Sequence, residues 1–282
     1  MTNSNGNTST KAALTVAITA SFIGPFMSSA VNVALPSIGS EFGLSAVALG
    51  WINTAYLLAA ASLLVPFGRL ADIVGRKKIF VIGLFVLTVA SVLNATAQSG
   101  TTVIVYRVFQ GLGAAMVFAT AMPILISVVP PEQRGKAIGL TIAAVYLGLS
   151  TGPFIGGLIT GSLSWRFIFW LNLPLGAFML TISMVLLRGD WAEAKGSRFD
   201  WVGSLLLAVS LLVAMYGFST LPGGPAIVLL IVGLIGLAGF VTYEMRVESP
   251  VLNIDLFRYN VVFAFSILAA LITYAATFAV AF

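Results

Sequence analysis

The sequence predicts an all-α membrane protein, and three observations predict it. Only 8% of the 282 residues are charged, against 59% hydrophobic, with a mean hydropathy of +1.06. A water-facing domain carries about 25% charged residues, so this chain lacks the charge to cover a surface in water. Its apolar residues gather in continuous runs about 20 residues long, the length that crosses a bilayer as a helix. The runs show no alternation of period two, which argues against a β-barrel. Finally, most of the basic residues fall in every second connection between runs.

Taken in order, the runs cover roughly residues 12–36, 47–67, 79–97, 101–129, 137–161, 166–188, 201–219 and 225–243, with a ninth from 260 to the end. Residues 1–11 form a polar tail without a cleavage signature. The run opened by Lys11 is longer than a signal-peptide core and reads as a retained first span. The polar stretch Gly189 to Asp200 marks a boundary. This divides the chain into the tail 1–11, a six-helix unit 12–188, a connector 189–200, two further helices with a loop over 201–259, and the start of another helical unit at 260–282. The last run ends at Phe282 with no polar flank, and a terminal carboxylate in lipid is costly. The expectation is a chain cut within a longer protein.

Of the 14 Lys and Arg residues, all but Arg107 and Arg166 lie on one side of this alternation. Lys11, Arg69, Arg76, Lys77, Lys78, Arg134, Lys136, Arg188, Lys195, Arg198, Arg246 and Arg258 make up that side. The positive-inside rule makes it cytoplasmic, with the N-terminus inside the cell and the protein in the plasma membrane. The net charge of +5 is thus a matter of topology, and no nucleic-acid partner is implied. Cysteine and histidine are absent. Disulfides, Cys/His metal sites and His-based catalysis are therefore excluded. No catalytic residues, metal ligands or cofactor are expected, and no enzymatic activity.

The connection after the second span reads Gly68-Arg-Leu-Ala-Asp72-Ile-Val-Gly75-Arg76-Lys77. Glycine suits a tight reversal, and Asp72 suits a helix start or a cation. A charged topology loop is the plainer reading of the same residues. The pattern G-x-L-A-D-x-x-G-R-[KR] at this place resembles the signature of the major facilitator superfamily. Three stretches extend the resemblance. They are Arg107-Val-Phe-Gln110-Gly111-Leu-Gly113 in the fourth span, Gly148-Leu-Ser-Thr-Gly152-Pro153-Phe-Ile-Gly156-Gly157 in the fifth, and Trp165-Arg166 through Asn172-Leu-Pro174 in the sixth. With Asn32-Val-Ala-Leu-Pro36 in the first span, they resemble the fourteen-span drug:proton antiporters. The resemblance implies the six-helix N-terminal half of a major facilitator fold, two inserted helices, and the first helix of a missing C-terminal half.

It also implies a function: export of small amphipathic drug-like molecules by alternating access, coupled to an ion such as the proton, with lipid as the surrounding partner. Asn32, Arg107, Gln110 and Met27 become candidates for the substrate and coupling cavity. Gly68, Asp72, Gly75 and Arg76 become candidates for a gating loop. Gly148, Gly152, Pro153, Gly156 and Gly157 become candidates for an interface with the other half. Each has a competing reading. A cation within a span costs about 2.5–3.5 kcal/mol on insertion scales, so Arg107 marks either a functional site or a side chain snorkelling to the interface. The glycines allow close helix packing of any kind. Asn32 and Gln110 also serve plain interhelical bonding, and Glu132 either pairs with Arg76 or stays solvated. One departure stands out. The relatives' helix-one aspartate, nine residues before Pro36, is Met27 here, and Met carries no proton. The rival to transport is a truncated, non-transporting membrane protein or assembly partner.

Overall fold

The computed structural model describes residues 4–187 and 189–281. Arg188, counted above among the inward basic residues, lies outside them, as do residues 1–3 of the tail and the terminal Phe282. All regular structure in the described residues is helical. Lipid offers backbone N–H and C=O groups no partners, and a helix pairs them within one segment.

The helices are α1 (Ser4–Phe42), α2 (Ala46–Val74), α3 (Arg76–Ala95), α4 (Gly100–Val128) and α5 (Pro131–Ser162). A broken pair follows, α6 (Arg166–Trp170) and α7 (Asn172–Val185), then α8 (Trp201–Ser219) and α9 (Gly224–Glu244). The short α10 (Asp255–Tyr259) leads into α11 (Val261–Ala281). Counting α6 and α7 as one span, eight helical segments among the described residues are long and apolar enough to cross a membrane. Their starts are written in the sequence. Ser45 Oγ caps α2 by accepting from the Ala48 N–H. Ser99 and Thr102 form a reciprocal capping box at α4, and Asp200 accepts from the Gly203 N–H at α8. Such caps satisfy amides that the first turn leaves unpaired.

Helices α1, α2 and α5 outrun the apolar stretches that predicted them. Outside the hydrocarbon a polar residue need not end a helix, because the backbone ladder stays favourable there. Gly68 and Asp72 thus lie within α2, where the sequence suggested a loop. The reversal is confined to Gly75, whose φ of +122° is open to glycine and strained for other residues.

Helix α4 packs against α1, α2 and α3; α1 also lies along α5; α3 meets α6 and α7. These seven segments share one apolar core, with Phe80, Ile124, Leu125 and Phe169 almost fully buried. Helices α8 and α9 pack on each other and meet this unit through α2, where Trp51 and Tyr216 bring their rings to 5.1 Å. Opposite ends of the bundle hold different connections. At one end Thr10 Oγ1 donates to the Val128 carbonyl and Arg76 donates to Ser127 Oγ. At the other, Arg166 makes a two-pronged ion pair with Glu41 and donates to the Ala97 carbonyl.

Candidate functional site

Two close helix approaches create the site. A side chain at Gly111 would collide with the Tyr56 carbonyl of α2, and one at Gly113 would come within 2.6 Å of the Leu87 amide of α3. With only hydrogen at these positions, α4 wedges between its neighbours and carries Arg107 into the seam with α2. Arg107 is 1% exposed. Its Nε donates to the Ile52 carbonyl at 3.0 Å, Nη1 to Gln110 Oε1 at 2.7 Å and Nη2 to Asn53 Oδ1 at 3.1 Å. The Tyr56 ring lies 4.3 Å from the guanidinium carbon, a cation–π distance.

No carboxylate of the described residues lies within ion-pair distance of this cation. Its charge is met by carbonyl dipoles and one aromatic face. A buried cation needs such partners to persist at all, and these are neutral, so its charge remains uncancelled. The snorkelling reading of Arg107 fails, because the head group is anchored inward.

The network continues both ways. Asn53 Nδ2 donates to Asn32 Oδ1, and Asn32 is exposed. In the other direction Gln110 Nε2 donates to Ser91 Oγ at 2.7 Å, and Asn172 Nδ2 donates to the same oxygen at 2.9 Å. A polar track therefore runs from an exposed amide on α1, through the arginine, to the α3–α7 contact. It joins three residues singled out from sequence: Asn32, Arg107 and Gln110. Met27 is not among them. It is 4% exposed and sits in the apolar core. Asn53, Tyr56 and Ser91 were missed. The available signal was polar Asn53 inside an apolar run, with Tyr56 three residues on and hence on the same helix face.

A second cluster surrounds Arg76. Its Nε donates to Asp72 Oδ1 at 2.7 Å, one helical turn earlier, and its Nη1 reaches Glu193 Oε1 at 2.7 Å. Arg76 thus pairs with the connector, and the Glu132 partnership considered from sequence does not form. The connector docks through its backbone as well: the Arg76 N–H donates to the Trp191 carbonyl, and the Ala194 N–H to the Asp72 carbonyl. Lys78 pairs with Asp190 at 2.8 Å, and any side chain at Gly75 would strike that same Asp190. Gly75, Asp72 and Arg76 therefore form one docking surface for residues 190–194. Gly68 stands apart from it, a turn back in α2 with only Ala119 near its open side.

The α5 glycines have a partner that the sequence did not indicate. Methyl groups at Gly148, Gly152 and Gly156 would lie 2.5 Å from the Phe22 oxygen, 2.7 Å from Ser29 Cβ and 2.8 Å from Ala30 Cα. All three face α1. Among the described residues the stripe is therefore a seam between α1 and α5. Gly157 meets α1 only at the ordinary distance of 3.7 Å, through Val33, and Pro153 is exposed. Among the described residues no three His, Cys, Asp or Glu side chains gather as metal ligands.

Among the described residues, eight segments able to cross a membrane, with a buried cation between two of them that no carboxylate pairs, define a multi-pass helical membrane protein. The model of the Major Facilitator Superfamily matches residues 17–282, and the chain belongs to that family of membrane transporters. It is 31% identical over 240 residues to the riboflavin transporter RibZ of Clostridioides difficile, covering 84% of this chain and 52% of that protein. It is 35% identical over 227 residues to the puromycin resistance protein pur8 of Streptomyces alboniger (79% and 45%). Multidrug resistance protein 3 of Bacillus subtilis is 30% identical over 256 residues (88% and 49%). Among solved structures, the human organic anion transporter MFSD10 shares the fold, with a TM-score of 0.57 at 16% identity, over 84% of this chain and 62% of that one. The chain spans about half the length of the curated relatives it matches.

Proposed function

We propose that this chain forms the N-terminal half, with two inserted helices, of a secondary transporter that exports small amphipathic molecules by alternating access. The observation that carries the reading is Arg107: a cation buried in a span, held by neutral groups and connected through Asn53 to an exposed amide. A static scaffold gains nothing from an uncancelled charge at that depth. A transporter gains a group that answers to an anionic or acceptor group presented opposite it. Resistance proteins among the relatives support a drug-like substrate, and RibZ keeps other small molecules within the same reading.

In such a protein the two halves rock about a midplane cavity. The Asp72–Arg76–Glu193 cluster would hold the connector at the inner end. Grouping of the basic connections at one end supports a cytoplasmic N-terminus in the plasma membrane. Coupling to protons is part of the proposal, but among the described residues no carboxylate lies deep in a span and Met27 cannot supply one, so the coupling carboxylate would lie outside the apolar stretches of these spans.

The test is efflux from cells expressing the full-length gene, with the proton gradient intact and collapsed. Export is expected in the first case and its loss in the second. Arg107→Met should abolish export while the protein still reaches the membrane. Unchanged export by Arg107→Met would remove the basis of the reading, and export indifferent to the gradient would end proton coupling.

A further inference from the structure

Outside the polar track, at the end of the α8–α9 hairpin, two carboxyl groups meet. Asp200 caps α8 and Glu244 closes α9. A side chain built on Gly203 would collide with Asp200 Oδ2 and Glu244 Oε1 together, so these two oxygens crowd the same spot over one glycine. Both atoms are shut off from water, and neither has a hydrogen-bond partner. Glu244 as a whole is 3% exposed.

The remaining oxygens are partnered, but unequally. Asp200 Oδ1 accepts from the Gly203 N–H at 2.9 Å and the Tyr243 hydroxyl at 3.3 Å. Glu244 Oε2 accepts from the Leu252 N–H at 2.9 Å. No Lys or Arg of the described residues pairs with either group. Arg198 and Glu248 line the neighbouring recess with Asp200 without forming an ion pair to the cluster, and on the adjacent α2 Arg69 forms none either. Tyr243 is the other titratable group in contact with the cluster.

Two ionised carboxylates cannot share a dry contact without a cation between or beside them. Nor can two buried acceptor atoms satisfy one another without a hydrogen. One proton answers both difficulties. We propose that Asp200 and Glu244 form a carboxyl pair that binds a single proton, a protonation site outside the six-helix unit. Asp200 keeps the charge, because it holds two donors and the positive end of α8. Glu244 carries the proton and donates from Oε1 to Asp200 Oδ2. The occupied site ties α8 to α9 and, through the Leu252 amide, to the loop that leads to α10. Loss of the proton to the recess leaves two facing negative charges and removes the tie. The proposal is independent of the transport reading, since it concerns ionisation and not turnover.

The test uses the full-length protein purified in detergent. Infrared spectra at neutral pH should show the C=O band of a protonated carboxyl, shifted in D2O. The band should disappear in Glu244→Gln and remain in Glu248→Gln. In thermal unfolding, Glu244→Gln should match the parent, since its amide N–H replaces the acid as donor to Asp200 while its oxygen still accepts from Leu252. Glu244→Ala, which has neither, should unfold at lower temperature. No protonated-carboxyl band in the parent, a band unchanged by Glu244→Gln, or a Glu244→Gln protein as unstable as Glu244→Ala would each overturn the proposal.

Discussion

Replacing Gly148 by alanine tests how α1 and α5 are held together. The added methyl carbon would lie 2.5 Å from the Phe22 oxygen and 3.0 Å from the Phe26 amide nitrogen. Both obstructing atoms are backbone, so no rotamer change relieves the contact. Carbon–oxygen contacts are comfortable from about 3.3 Å, so the helices must part by roughly 0.8 Å at this point. Inserting a methyl group into a packed seam destabilises by about 1–3 kcal/mol, partly offset by the roughly 0.8–1 kcal/mol helix preference of alanine over glycine. The net expectation is a loss of up to about 2 kcal/mol. Gly157→Ala, whose methyl meets Val33 at an ordinary 3.7 Å, should lose nothing and supplies the control. Denaturant or thermal unfolding in detergent, followed by tryptophan fluorescence, measures both. Equal stabilities for the two variants would refute the seam, and would return the glycine face to an interface with some other helix.

Further outcomes follow from the two polar clusters. Arg107→Lys should lose export almost as fully as Arg107→Met, because one ammonium cannot hold the three acceptors that the guanidinium fork spans; efflux at matched membrane expression measures it. Asn53→Leu should weaken export while leaving Arg107 bound to Gln110 and the Ile52 carbonyl, a separation visible as reduced transport with little change in unfolding temperature. Gly75→Ala combines a strained φ with a collision at Asp190, so the connector should detach, read as faster proteolysis within residues 189–200. Glu193→Gln removes a partner that is 68% exposed. It should change stability by less than about 1 kcal/mol, well short of the effect of Gly75→Ala in the same assay.

Much of this protein was legible in its order of residues. Lipid leaves so few solutions that run length and charge alternation suffice to lay out the spans. Helix starts at Ser45, Ser99 and Asp200 follow from local chemistry alone. Arg107 and Gln110 were visible because polar groups in a span are rare and conspicuous. Their partners were not. Asn53 is 54 residues from Arg107 in sequence, and nothing local says which helix will face α4. The length of α2 was underestimated for a related reason: hydropathy marks where hydrocarbon ends, while the backbone ladder decides where a helix ends.

The sequence by itself determined that the chain crosses a membrane many times, where most crossings fall, and that a cation lies within one of them. Only the tertiary structure decided what meets what. It put α1 against the Gly148–Gly156 stripe, the connector's Glu193 against Arg76, and Glu244 against Asp200. The physical reason is that burial in lipid is a property of one segment, readable residue by residue. Packing and hydrogen bonding are properties of pairs, and their geometry exists only once the segments have come together.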